Sequence, residues 1–143
     1  MSAFVTTVVG SMPKRSWLFR YRTALDGKLD HFGKGGDWAL DDDARAAAQD
    51  DATRLAIRDQ ERAGIDLVSD GEQRRKNYVT HLTMNMEGFD YETLGEKEMR
   101  GGRRRVMAGR CVGPIRHKGP IVVNDLAFLK GETNRPVKMT LPG

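Results

Sequence analysis

Residues 66–75 have the sequence DLVSDGEQRR. The run over residues 65–68, apolar except for Asp66, predicts a short buried strand, which gives way at once to charged residues. Charged side chains are seldom buried without partners, so the end of this strand is either a solvated loop of paired charges or the rim of a binding site. The charged residues are Asp70, Glu72, Arg74 and Arg75.

A long helix precedes this strand. Residues 41–63 carry alanines and a leucine on one face, and three aspartates at residues 41–43 suit the N-cap and the first turn. Gly64 stands where a helix commonly ends in a left-handed residue. A second helical pattern over residues 79–86 follows the charged turn, and alternation of strand and helix is typical of α/β folds.

Other parts of the chain predict shorter elements. Gly and Pro clusters separate apolar runs, and these runs set the expected boundaries. We expect a strand over 4–9, a helix over 15–25, a loop over 26–38, a charged hairpin tip or loop over 89–105, an antiparallel ribbon of 106–115 with 120–123, a helix from 126 behind an Asn124 cap, and a strand over 137–141.

Composition limits the functional classes. The 143 residues carry a formal net charge of +4, and the basic segment 100–118 lacks the interleaved aromatic residues that nucleic-acid platforms use, so we expect no nucleic-acid partner. A single cysteine fits a reducing compartment. The chain shows neither a signal-peptide pattern nor a membrane-length apolar run, so we expect a cytoplasmic protein without a membrane partner.

Two strand ends are candidate binding positions. Gly10 and Ser11 follow the first strand, where they form either an ordinary turn or a place for a ligand to approach the backbone. Asp70 and Glu72 follow the second strand, where they could hold an amino group or orient a metal ligand, or else form solvated ion pairs with Arg74 and Arg75. Cys111 has no base visibly placed for it, and the three histidines are far apart, so a complete zinc site within the chain is not expected.

Four motifs carry a family resemblance. They occur in this order: TTVVGSMPK at 6–14, QERAGIDLVSDGEQRRKNYV at 60–79, GRCVGPI at 109–115 and RPVKMTLPG at 135–143. This pattern resembles the first part of the catalytic barrel of cobalamin-independent methionine synthase, and more closely its short single-barrel bacterial relatives. The resemblance implies an α/β fold: the N-terminal portion of a (βα)8 barrel of the methionine synthase and uroporphyrinogen decarboxylase type, with an inserted β-ribbon.

The resemblance also implies site residues and chemistry. Val9, Gly10 and Ser11 match the segment that holds the carboxylate of the amino-acid substrate, and Glu72 matches the acid that binds its amino group. Arg110 and Cys111 match the pair beside the folate donor. The implied activity is zinc-dependent methyl transfer from a 5-methyltetrahydrofolate-type donor to a thiol such as homocysteine. Asp70, Arg74 and Arg75 are expected at the rim.

Departures from the family pattern leave alternatives open. Asp70 stands where the methionine synthase pattern has His, as in short relatives that act on other thiols, such as the coenzyme M transferase acting on epoxides. The family's zinc ligands lie beyond the matched motifs, so no residue here is assigned to the metal. A (βα)8 barrel needs about 250 residues.

We therefore expect residues 1–143 to be one partial barrel domain of about the first three βα units. A partner chain or a homo-oligomer would complete it, and a truncated product is the other explanation. A non-catalytic half-barrel binding or regulatory module is the rival function.

Overall fold

The computed structural model describes residues 4–21, 36–99 and 101–142. Two short strands, β1 (Phe19–Tyr21) and β2 (Gly36–Trp38), pair antiparallel. They are followed by α1 (Asp42–Arg62), α2 (Thr80–Thr83), β3 (Met86–Met99), β4 (Arg104–His117) and α3 (Val123–Glu132).

Three short parallel segments, residues 4–9, 65–70 and 136–141, form the centre of the fold. The first and second segments bridge at Thr7 and Leu67, and the second and third bridge at Val68 and Val137. Backbone hydrogen bonds of 2.8–3.1 Å run between both pairs. The second segment therefore lies between the other two, and the carboxyl ends of all three meet on one side.

Helix α1 packs over these segments as its sequence predicts. Asp41 caps the helix by accepting a hydrogen bond from the Ala44 backbone at 3.0 Å, and Gly64 adopts a positive φ of 76° just beyond its end. Ile57 of α1 forms the buried core with Val68 and with Leu129 of α3. No helix in the described ranges has the length and apolarity to cross a membrane.

Gln60 ties helix α1 to the second segment. This side chain is buried, and its Nε2 donates to the carbonyl oxygens of Ala56 at 2.9 Å and Ser69 at 2.8 Å. Its Oε1 accepts from the Ser69 backbone N–H at 2.9 Å. Buried backbone groups need such partners, so Gln60 satisfies the backbone immediately before the charged turn.

Strands β3 and β4 form one long antiparallel ribbon. Met86 pairs with His117 at one end and Met99 pairs with Arg104 at the other, with two register shifts between them. The expected loop over 89–105 is therefore mostly strand, and the expected ribbon partner over 120–123 is wrong. Charged residues, three of them in a row at 96–98, hide the strand character of β3, because a ribbon exposed to water needs no continuous apolar face.

Three expected helix boundaries also change. Phe19–Tyr21 is a strand rather than part of the helix expected over 15–25, because Phe19 pairs with Trp38 and their ring centres lie 5.2 Å apart in an edge-to-face contact. Residues 22–35, which include most of the loop expected over 26–38, lie outside the described ranges. The helix expected over 79–86 has only the four residues of α2, because the ribbon begins at Met86. Helix α3 begins at Val123, so Asn124 lies inside it and is not the cap.

We expect Gln60→Leu to lower the free energy of unfolding by about 2–5 kcal/mol, because the Ser69 N–H and C=O lose their buried partner. Urea unfolding measures this change. Gln49→Leu, at a half-exposed position of the same helix, is the matched control and should change stability by less than about 0.5 kcal/mol. Equal losses in the two variants would contradict the role assigned to Gln60.

Candidate functional site

The three parallel segments end around one open cavity of about 390 Å³. Gly10 and Ser11 from the first segment, Glu72 from the turn after the second, and Thr140 from the third all line it. This side of a barrel, the carboxyl end of its strands, is where such folds place their sites. The lining also includes Val9, Arg75, Tyr78, Leu141 and Pro142.

Glu72 is the centre of the cavity. Its side chain is buried, and each carboxylate oxygen accepts from a hydroxyl of another segment: Oε2 from Ser11 Oγ, and Oε1 from Thr140 Oγ1 at 2.7 Å. An ionised carboxylate offers about four acceptor sites, so these two hydrogen bonds leave acceptor capacity for a ligand.

The backbone at Glu72 is strained. Its φ of 55° lies in the left-handed region, and it is the only non-glycine residue with positive φ among those described. Such a conformation costs on the order of 1–3 kcal/mol and recurs at functional sites. The turn is held by Asp70, whose Oδ1 accepts from the Glu72 N–H at 3.0 Å, and by the Met12 N–H, which donates to the Gly71 carbonyl at 3.0 Å.

Small residues give Glu72 room. A Cβ on Gly10 would lie 3.1 Å from Glu72 Oε1. A Cβ on Gly71 would lie 3.1 Å from the Cβ of Ala56 and 3.2 Å from that of Met12, at a φ of 60°. Both glycines therefore serve close approach between the loops, which is a physical reason for the turn-forming residues that the sequence places there.

Arg75 lies beneath the site and not at its rim. Only 1% of the surface of Arg75 is exposed. Its Nη1 donates to the Thr140 carbonyl at 2.8 Å, and its Nη2 contacts Met139 Sδ at 2.9 Å. Nη1 also lies 3.6 Å from Glu72 Oε1. The guanidinium therefore links the second and third segments and supplies positive charge next to Glu72.

Asp70 is also buried rather than at the rim. Its Oδ2 has no hydrogen-bond partner among the described residues and lies 3.9 Å from Arg75 Nη2. Burial is the main cause that raises the pKa of Asp70, and it outweighs the hydrogen bond from Glu72 and the attraction of Arg75. The interpretation of residues 69–75 as a solvated loop is therefore wrong.

Arg74 points to the helices instead of the cavity. It forms ion pairs with Asp50 and, at 3.5 Å, with Asp125, and its guanidinium lies 4.3 Å from the centre of the Phe128 ring. These contacts join the turn to α1 and α3. Arg74 is thus a packing residue, and it does not lie at the rim of the site, where the sequence analysis expects it.

Arg110 and Cys111 lie on the ribbon. Both are exposed in β4, where Asp90 pairs with Arg110 and Phe89 with Cys111. Neither residue lines the cavity around Glu72. The structure therefore brings Gly10, Ser11 and Glu72 together and leaves the two ribbon residues apart from them.

One site residue was missed from the sequence. Thr140 contacts Glu72, but it stands within an ordinary apolar run. Arg75, expected at the rim, also contacts Glu72, but from a buried position. The available signal was positional: Thr140 lies near the carboxyl end of the last predicted strand, and Ser11 lies just beyond the end of the first.

Within the described ranges, no group of three or more His, Cys, Asp or Glu side chains is arranged to hold a metal ion. The Cys111 sulfur lies 3.5 Å from the Gly113 carbonyl oxygen. The residues described do not fit a zinc site.

Comparison with known proteins assigns the family. The family model described as cobalamin-independent synthase, catalytic domain, matches residues 4–143. This chain belongs to the cobalamin-independent synthase catalytic-domain family.

Methionine synthase of Pyrococcus horikoshii is 32% identical over 133 residues, which cover 92% of this chain and 35% of that protein. The 2-hydroxypropyl-CoM lyase of Xanthobacter autotrophicus is 34% identical over 100 residues, 66% of this chain and 25% of the lyase. The chain therefore spans about a third or less of the length of these relatives.

A solved structure shows the same architecture. The B12-independent methionine synthase of Shewanella sp. W3-18-1, in complex with selenomethionine, matches with a TM-score of 0.80 and 33% identity over 96% of this chain and 37% of that one. The fold is thus the N-terminal portion of the catalytic (βα)8 barrel, with the β3–β4 ribbon inserted, as the family resemblance implies.

The two carboxylates at the ends of the second segment should titrate with opposite effects on stability. The raised pKa of Asp70 means that the folded state binds its proton more tightly than the unfolded state does. The pKa of Asp66 is lowered, first by the hydrogen bond from the Thr6 N–H, so its contribution is present above the usual carboxyl pKa and lost on acidification.

We therefore expect Asp70→Asn to gain stability relative to the unsubstituted chain as pH rises from about 3 to 7. Asp66→Asn should lose stability relative to that chain over the same range. Urea unfolding at a series of pH values measures both differences. If the free energies of unfolding of both variants change with pH as that of the unsubstituted chain does, the opposite pKa shifts of Asp70 and Asp66 are contradicted.

Proposed function

We propose that the chain is part of an enzyme that transfers a methyl group to a thiol, as methionine synthases do with homocysteine. The proposal rests on the Glu72 carboxylate, which lines the cavity and accepts hydrogen bonds from the hydroxyls of Ser11 and Thr140. Family membership over residues 4–143 supports the reaction class.

Charge supports an ammonium ligand at Glu72. Glu72 and Asp70 both lie near the buried guanidinium of Arg75, at 3.6 and 3.9 Å. A ligand ammonium would form charge-assisted hydrogen bonds at the remaining acceptor sites of Glu72. Gly10 and Ser11 border the same space, and their backbone and hydroxyl groups are proposed to hold the carboxylate of an amino-acid thiol.

The chemical role of these residues is binding and orientation. By fixing the amino-acid end of the substrate, Glu72 and Ser11 would direct its thiol away from the turn and toward the donor. Such positioning lowers the barrier by removing translational and rotational freedom before reaction. The donor, a 5-methyltetrahydrofolate-type molecule, is proposed to contact Arg110 and Cys111 on the exposed ribbon, where Arg110 would attract its carboxylates.

Zinc, which the family resemblance implies, has no fitting site in the described ranges. We propose that its ligands are provided outside these 143 residues, and we derive no step through the metal. The single exposed cysteine fits a reducing, cytoplasmic setting for the complete enzyme.

A second candidate is a different thiol-transfer or lyase reaction. The 34% identity to a 2-hydroxypropyl-CoM lyase favours it, because that relative is named for a thiol other than homocysteine. The two candidates differ in whether the substrate carries the ammonium group that Glu72 is proposed to bind. A non-catalytic half-barrel module would bind a ligand without turnover.

We expect Glu72→Gln to weaken homocysteine binding by about tenfold to a hundredfold, since a charge-assisted hydrogen bond is lost while the shape is kept. Titration calorimetry on the complete enzyme measures it, alongside methyl transfer. Glu87→Gln, at an exposed position of the ribbon, is the control and should bind as before. Unchanged binding in Glu72→Gln would remove this residue from the site.

We also propose that further strands cover the outer edges of the first and third segments. In the described ranges each of these segments bridges a neighbour on one side only, and Val5, Val9 and Leu141 are 71%, 93% and 60% exposed. Exposed apolar edges favour association, so a partner chain or a second copy would complete the barrel.

Native mass spectrometry of the protein purified from its own source tests this completion. We expect a species heavier than the 16.0 kDa of this chain. Zinc in a heavier species would support the proposed catalyst. A zinc-free homo-oligomer would favour the binding module, and a 16.0 kDa monomer would contradict the proposed completion.

A further inference from the structure

Lys138 connects two segments that are not neighbours. It belongs to the third segment, where its backbone N–H donates to the Val68 carbonyl of the second segment at 2.8 Å. Its side-chain Nζ donates to the carbonyl oxygens of Val8 and, at 3.4 Å, Val9, both in the first segment. Because the second segment lies between the other two, the Lys138 side chain spans it from one side to the other.

The alternation of side chains along the third segment places Lys138 on the same face as a residue of the site. Val137 and Met139 pack against the core that α1, the second segment and α3 form. Successive side chains of an extended segment point to opposite faces, so Lys138 and Thr140 share the face that is turned away from the helices. On that face Thr140 donates to Glu72 at 2.7 Å.

Two hydrogen bonds bracket Gly10, which lines the cavity. Before it, Lys138 donates to the Val9 carbonyl, and after it, the Ser11 hydroxyl donates to Glu72. A trans peptide directs its N–H opposite to its C=O, and the described residues contain no cis peptide. The Gly10 N–H therefore points away from the ammonium that holds the other side of its peptide.

Few packing contacts within the described ranges hold the first segment in place. Every residue from 4 to 9 is exposed or half-buried. Hydrogen bonds from the Thr6 N–H and hydroxyl to Asp66 hold the start of this segment, at 2.8 and 2.7 Å, and Lys138 holds its carboxyl end. Hydrogen bonds from a charged donor are stronger than those from a neutral one, so Lys138 is suited to fix an otherwise loosely packed backbone.

We propose that Lys138 is a positioning residue of the candidate site, which orients the Val9–Gly10 peptide so that the Gly10 N–H donates to a bound ligand. The inference rests on the proposed function, which assigns the carboxylate of the thiol to Gly10 and Ser11. It adds a separate requirement for each end of the ligand. Carboxylate recognition depends on a cation outside the cavity lining, whereas ammonium recognition depends on Glu72.

Three small thiols separate the two kinds of recognition. Homocysteine carries both charges, cysteamine carries only the ammonium, and 3-mercaptopropionate carries only the carboxylate. In titration calorimetry on the complete enzyme, Lys138→Met should weaken binding of homocysteine and 3-mercaptopropionate by about tenfold, because the Gly10 N–H is no longer held in place. Cysteamine should bind as before, because Thr140 still donates to Glu72.

Two variants serve as controls in the same titrations. Lys138→Arg keeps a cationic donor of similar reach, so it should restore most of the binding of the two carboxylate thiols. Lys118→Met removes an exposed cation outside the three segments and should bind all three thiols as the unsubstituted enzyme does.

The backbone amide signal of Gly10 in the ¹⁵N-labelled complete enzyme gives a readout that needs no ligand. This signal should shift or broaden in Lys138→Met and return in Lys138→Arg. The amide signal of Gly71, in the turn before Glu72, should stay in place. A general loss of folding would instead move both signals.

The inference is overturned if Lys138→Met binds all three thiols normally, if it weakens all three equally, or if the Gly10 amide signal does not change. Weaker homocysteine binding in Glu72→Gln would still support the proposed function in each of these cases. If Lys138→Met behaves as expected while Glu72→Gln binds cysteamine normally, the proposed ammonium site fails and the role of Lys138 stands.

Discussion

The hydrogen bonds that Ser11 and Thr140 donate to Glu72 are the contacts on which the site depends. They join the carboxyl ends of the first and third parallel segments to the turn that follows the second. Among the described residues, each outer segment forms a single bridge with the second, at Thr7–Leu67 or Val68–Val137. One buried carboxylate thereby sets the spacing of the three loops that form the cavity.

Placing Glu72 there carries structural costs that neighbouring residues offset. Its left-handed backbone is held by the Asp70 side chain, and the turn before it is held by Gln60, which satisfies both backbone groups of Ser69. Arg75 lies below and compensates the negative charge. The polar network is buried, so its members favour one arrangement of the loops over others.

Local sequence signals predicted some of this fold well. Helix α1 could be predicted because Asp41 and Gly64 mark its ends, and the cavity residues Ser11 and Glu72 because each follows a strand. The ribbon could not be predicted, since β3 carries three consecutive charged residues at 96–98 and no sustained alternation of apolar and polar residues. The contacts that Thr140 and Arg75 make with Glu72 depend on how the third segment lies against the second, and no local sequence pattern predicts that arrangement.

The ammonium group of a small thiol is the ligand that we propose for Glu72, and a crystal structure of the complete enzyme with homocysteine would show it. We expect the ligand nitrogen within about 2.7–3.2 Å of a Glu72 carboxylate oxygen. Homocysteine bound with its nitrogen elsewhere, and Glu72 in contact only with Ser11 and Thr140, would contradict it.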